Sequence, residues 1–268
     1  MGKLRIALTA IVVLWLAPAS AHEMWIEPHA FRLAPDTEIV ADMRVGQKMK
    51  GYTLPYLEAS IDRIGIVDPQ ARRELPGTMG DLPAIHVVPE APGLQVLFYE
   101  SRAERLGWAE FAKFESFLRT DGLAWVLEEH RKRGLPDSGF QEAYTRCAKA
   151  LVQVGDGVAG NDVEVGLTVE LVADVNPYTL AVGDTLPVRA LWRGKPFVGA
   201  QLRVFRRPPG ETDAVIVDFI TDDAGQGRVP LAGPGVYLLS AVQMSEGLEK
   251  PADVWHSWWA SLVFEVAG

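Results

Sequence analysis

Apolar and polar positions along the chain fall into three successive regimes. From Met24 to about Tyr99 a Pro or Gly interrupts every few residues, among them Pro28, Pro35, Gly46, Gly51, Pro55, Gly65 and Pro69. Between them lie short alternating runs, Glu38–Val45, Ile61–Val67 and Leu94–Tyr99. Alternation bounded by turn formers predicts antiparallel strands, hence an N-terminal β domain over 22–107. At Trp108 the period lengthens. Phe111, Phe114 and Leu118 stand at i, i+3 and i+7, one face of a helix. Asp121 precedes a second helical stretch with Leu123, Val126, Leu127 and His130 on one face and Gly134-Leu-Pro136 as its stop. Ser138-Gly-Phe-Gln141 has the form of a capping box and predicts a third helix, with the stripe Tyr144, Cys147, Ala148 and Leu151.

The expectation is therefore a three-helix segment over 108–154, followed by a Gly- and Asp-rich linker over 155–165. Strand patterning then returns in Leu167–Val172, Thr185–Trp192, Gln201–Phe205, Ala214–Phe219, Gly235–Ser240 and Trp259–Val266. Strands at this spacing predict an immunoglobulin-like β-sandwich over 166–268, without the cysteine pair of true immunoglobulin domains. The fold class expected is mostly β with a helical insertion.

The first residues follow a different logic. Lys3 and Arg5 precede an apolar stretch, Ile6 to Leu16, and Ala19-Ser20-Ala21 is a small-x-small cleavage site. This is the form of an export signal over 1–21, and the apolar stretch is well short of the ~20 residues of a spanning helix. Cleavage after Ala21 makes His22 the first residue, with a free α-amine beside an imidazole. In small peptides such an amine titrates at about 7.7–8.0 and an imidazole at about 6.5, so both shed protons near neutral pH. Together they can close a chelate ring on nickel, cobalt, copper or zinc.

Composition narrows the classes. The chain has 268 residues, 48% hydrophobic and 23% charged, which is ordinary for a globular protein. Its formal charge is −9. Removing 1–21, which carries two cations and no acids, takes it to −11. That balance disfavours nucleic acid and anionic membranes as partners. Cys147 is the one cysteine, so there is neither an intramolecular disulfide nor a Cys-rich zinc site. The expected location is the periplasm, with no membrane span after cleavage.

His22 is the leading metal candidate, with His86 and His256 as second ligands from neighbouring strands or loops. His29 is close in sequence but far along a strand, and His130 at a helix C-terminus suits the dipole better than a metal. Glu23 and Glu27 offer oxygen donors, which suit harder metals. Trp255, Trp258 and Trp259 read as a packing cluster. Glu142 and Arg146 stand at i, i+4 on the expected third helix. No Gly-x-Ser-x-Gly, Ser-x-x-Lys or His-Glu-x-x-His run is present, so the expectation is a protein that is not an enzyme.

Several motifs combine specifically: His22-x-x-Trp25-Ile-Glu-Pro28, Glu142-Ala-Tyr-Thr-Arg146-x-Ala-Lys149, Val175-Asn-Pro-Tyr178, Val182-Gly-Asp184, Gly194-Lys-Pro196, Thr221-Asp-Asp-Ala-Gly225 and the closing run Trp259 to Phe264. With them the chain resembles a bacterial exported family catalogued as a domain of unknown function and often labelled a periplasmic component of cobalt/nickel uptake. At the Cys147 position that family more usually has an aromatic residue, a difference of packing. The resemblance implies a metal-related role beside a transport system and no enzymatic reaction. The function expected is a periplasmic nickel/cobalt-binding protein that hands its ion to an uptake transporter or outer-membrane receptor. Two alternatives stand beside it: a non-catalytic β-sandwich adaptor docking on a membrane or transport partner, and a copper-binding histidine-brace protein.

Overall fold

A computed structural model describes residues 23–247 and 253–268; the expected signal 1–21 and His22 lie outside the described residues. The N-terminal region supplies β1 (Glu23–Pro28), β2 (Arg32–Leu33), β3 (Ile39–Gln47), β4 (Lys50–Leu54), β5 (Ile61–Val67), β6 (Arg72–Glu74), β7 (Ile85–Val87), β8 (Gly93–Ser101) and β9 (Glu104–Trp108). Two helices follow, α1 (Phe111–Thr120) and α2 (Ala124–Lys132). After them come β10 (Phe140–Val154), β11 (Val169–Ala173), β12 (Thr185–Trp192), β13 (Lys195–Pro196), β14 (Gln201–Arg207), β15 (Val215–Ile220), β16 (Gln226–Pro230), β17 (Gly235–Glu246) and β18 (Asp253–Val266). The mostly β fold with a helical insertion is the one the patterning predicts.

Three sheets stack as layers. The middle one has ten strands in the order β15-β14-β17-β18-β10-β8-β5-β6, with β2 and β9 also paired to β10. It joins strands from both sides of the 155–165 stretch. One outer sheet is β1-β3-β4 with β7 on β3; the other is β11-β12-β13 with β16 on β12. Side chains alternate along β18, and each parity meets a different layer. Trp259 stacks on Phe117 of α1 at 5.2 Å, whereas Trp258 meets Trp192 of β12 at 4.7 Å. The helices and the β1 sheet thus cover one face of the middle sheet, and the β11–β12 layer covers the other.

The helical segment is corrected in one element. The predicted third helix is β10, a strand of 15 residues paired in parallel with β18 and antiparallel with β9 and β8. A strand buried on both faces lacks the solvent-facing polar positions that reveal a period of two. Beyond Gln141, most polar residues of β10 are buried. Glu142 and Lys149 are fully buried on opposite faces, and Arg146 pairs with Glu104 at 3.9 Å rather than with Glu142. The other two helices fall where predicted, burying Phe114, Phe117 and Leu118 in α1 and Val126, Leu127 and His130 in α2.

Lys149 explains why the loop after β10 is fixed. Its Nζ lies 2.7 Å from Asp162 Oδ1 and 3.1 Å from Glu170 Oε1, and donates to Val163 O at 2.9 Å. Glu170 in turn accepts from the backbone N–H of Val165, Gly166 and Leu167. A buried cation matched by two acids and a carbonyl clamps residues 162–170 onto β10.

Candidate functional site

Of the three candidate histidines the structure describes two, His86 on β7 of an outer sheet and His256 on β18 of the middle sheet, and His22 lies outside the described residues. Glu23 lies opposite Gly46 on β3, whereas His86 on β7 lies opposite Val40. Six strand residues separate those positions, roughly 20 Å at ~3.4 Å per residue. His86 is half exposed, with Nδ1 3.6 Å from Glu38 Oε2. His256 is buried on the face of β18 opposite Trp259. Its Nε2 lies 3.1 Å from Thr145 Oγ1 and its ring stacks on Trp258 at 3.8 Å. Burial pushes the His256 imidazole down to about 4; Asp253 opposes this and Arg193 and Arg105 reinforce it. The ring is neutral at pH 7, stacked on the Trp258 indole and within hydrogen-bond distance of Thr145. His29 pairs with Asp42 at 3.3 Å. His130 accepts from Trp255 Nε1 at 2.9 Å through Nδ1, while its Nε2 lies 3.0 Å from Pro136 O, so it is a satisfied core histidine.

A cavity of about 440 Å³ lies at the start of β1. Glu23, Lys48, Lys113 of α1, Asp121 just after it, Arg203 and Trp259 are among the residues that line it. Lys48 and Met49 form the tight turn between β3 and β4, both with positive φ (53° and 62°), the geometry of a two-residue hairpin. Asp121 caps the C-terminus of α1, its backbone N–H bonded to Phe117 O. Arg203 Nη1 donates to Thr120 O at 3.1 Å, and Gln201 Nε2 donates to the same carbonyl at 2.7 Å, so β14 holds the end of α1.

The charges here are unevenly matched. Arg203 Nε lies 3.1 Å from Asp218 Oδ1, with Nη1 4.0 Å from Asp121 Oδ1. Lys113 pairs with Glu110 at 2.7 Å. The Lys48 side chain makes no hydrogen bond or ion pair among the described residues. Burial pushes Asp121 up to about 7, with the Glu23 charge adding to the effect and Arg203 opposing it. Burial also raises Glu23, against its own backbone N–H, Arg203 and Lys48. Both acids are thus weaker anions than their composition suggests. Among the described residues, no three His, Cys, Asp or Glu side chains converge as a metal-binding group.

Sequence reasoning missed Lys48, Asp121 and Arg203 as members of one site. Asp121 reads locally as the start of the second helix; the structure makes it the end of the first. Nothing local marks the other two, because a turn, a helix end and a strand meet only through the fold.

Among the described residues no helix is long and apolar enough to cross a membrane. No curated protein matches the chain by sequence. A family model described as a domain of unknown function (DUF4198) matches residues 19–245, so the chain belongs to that family.

Proposed function

We propose that the protein is a non-enzymatic periplasmic carrier of a divalent transition-metal ion, nickel or cobalt, which it passes to an uptake system. The metal is cargo, held by the α-amine and imidazole of His22 once the export signal is removed after Ala21. The observation that carries the reading is the position of Glu23 in the lining of a 440 Å³ cavity. His22 is one peptide unit away, ~3.8 Å between Cα atoms. Imidazole and amine nitrogens suit nickel and cobalt better than the hard cations that all-oxygen sites select. A copper brace fits less well, since His86 stands roughly 20 Å along β3 and His256 lies across the middle sheet.

Calorimetric titration of nickel, cobalt, copper and zinc into exported, processed protein tests the reading, beside the same protein with one extra residue before His22. The expected result is micromolar or tighter binding of nickel or cobalt that the extra residue abolishes. Equal binding by both forms moves the site to side chains, and no binding by either leaves the adaptor reading in front.

A further inference from the structure

We infer that β15 is a docking edge, which takes an extended segment of a partner protein carrying basic residues at both ends of an alternating apolar core. The inference goes beyond the metal-carrying reading and does not depend on it.

β15 (Val215–Ile220) ends the middle sheet. It pairs with β14 on one side and, among the described residues, with no strand on the other. Its free side is a row of backbone N–H and C=O groups without a ladder partner, a template for another strand. Val215, Val217 and Ile220 are 50%, 49% and 64% exposed. Other edges of the molecule are blunted. At the far end of the same sheet β6 is three residues long and reads Arg-Arg-Glu, β13 is Lys-Pro, and β16 ends on Pro230. Short length, charge, lysine and proline are the usual protections of an edge. β15 has none of them: it is six residues long, five are apolar, and its one charge, Asp218, is paired with Arg203 at 3.1 Å.

The edge is also held ready. Ile216 and Phe219 pack against the main apolar cluster, and β14 fixes the register from Gln201 opposite Ile220 to Arg206 opposite Val215. Only the incoming segment has to lose conformational freedom on binding.

Charge decides the occupant. From Pro208 to Gly225 the chain carries Glu211, Asp213, Asp218, Asp222 and Asp223 and no lysine or arginine. Asp213 pairs with Lys50 and Asp218 with Arg203, whereas Glu211, Asp222 and Asp223 make no ion pair among the described residues. Unmatched negative charge therefore stands before and after the strand. A second copy fits badly. Antiparallel self-pairing sets Asp213 against Asp222 when Val217 faces Asp218, and Glu211 against Asp223 when Val217 faces itself. One step further it sets Asp218 against itself, and like charges directly opposite destabilise a pair. A strand with lysine or arginine at each end meets these acids in either direction, its main chain completing the ladder and its apolar side chains covering the valines.

The test adds labelled peptides to the processed protein and follows fluorescence anisotropy. One peptide is Lys-Lys-Thr-Val-Thr-Val-Thr-Val-Lys-Lys, and a second has Glu in place of every Lys. A third is the lysine peptide N-methylated at two adjacent core residues, one for each edge of the strand. The protein variants are Val217→Lys and, as a control of equal charge, Val158→Lys. Val158 is 57% exposed and lies beside Ala159, whose carbonyl accepts from Leu94 of β8, on the other side of the middle sheet. Circular dichroism and thermal unfolding confirm that both variants fold. The lysine peptide is expected to bind roughly tenfold or more tighter than the glutamate peptide, an advantage that shrinks in high salt. N-methylation and Val217→Lys each weaken it about tenfold, Val158→Lys changes it less than about twofold, and hydrogen exchange slows within 215–220. Equal binding of the lysine and glutamate peptides, full binding after N-methylation, full binding to Val217→Lys, protection confined to other strands, or no binding at about 1 mM peptide overturns the inference. So does a concentration-dependent dimer abolished by Val217→Lys, which assigns the edge to a second copy. None of these results bears on nickel or cobalt binding.

Discussion

At pH 7 the carboxyl of Glu142 sits near the middle of its titration. Burial pushes it up to about 7 and outweighs the hydrogen bonds it accepts from Ser257 and from Trp108 Nε1, the latter at 2.8 Å. The folded state therefore holds this proton more tightly than the unfolded chain, where a glutamate titrates near 4.3. Stability from this group is complete below about pH 4.3 and falls as pH rises through about 7. Glu142→Gln is expected to abolish that decline, making the variant more stable than the parent above pH 7 by on the order of 3 kcal/mol. Urea unfolding at pH 5 and pH 8 measures it; an unchanged pH slope in the variant refutes the assignment. At this scale legibility followed covalent position. His22 stands out because the sequence before it has the pattern of a cleavage site, whereas Lys48 and Arg203 acquire meaning only from neighbours distant in sequence. Glu142 was visible as a charge on an expected helix, but not as an acid sealed under α1 and α2.

Among the elements, β10 separates what patterning reveals from what it hides. The stripes of α1 and α2 repeat at helical spacing because one side of each helix meets solvent. Strands β12, β14 and β16 alternate for the same reason. In β10 both faces are covered, so Tyr144, Cys147, Ala148 and Leu151 matched a helical stripe by chance of spacing, and Glu142, Arg146 and Lys149 mimicked its wet side. Lys149 tests the strand assignment energetically. Lys149→Met nearly keeps the length and keeps the unbranched shape of the side chain but leaves Asp162 and Glu170 buried without their cation. Breaking such a buried set costs about 3–5 kcal/mol. The expected outcome is a sharp drop in the thermal midpoint and early proteolytic cleavage within 155–168. A loss below about 1 kcal/mol, the range of an exposed helical lysine, contradicts the buried clamp.

For the whole molecule, the decisive pairing is that of β18 with β17 on one side and β10 on the other. It runs one sheet through both β regions, and one apolar cluster extends from Met24 to Val266 beside a second under the helices. We therefore expect a single cooperative transition in guanidinium, with tryptophan fluorescence and far-ultraviolet circular dichroism coinciding. Two separated transitions refute it. The sequence offered the two β regions and the helices between them, but a parallel pairing between strands so far apart leaves no local signature.

That pairing also sets a timetable. About a hundred residues lie between the end of β10 at Val154 and the start of β18 at Asp253. While the chain is being made, β10 has only β2, β8 and β9 to pair with, and the middle of the sheet stays open until the last strand emerges. Closure over so long a loop is slow, because its entropy is lost before the contacts form. Such a chain is late to become compact, the condition in which a polypeptide can still be threaded through a narrow translocation channel.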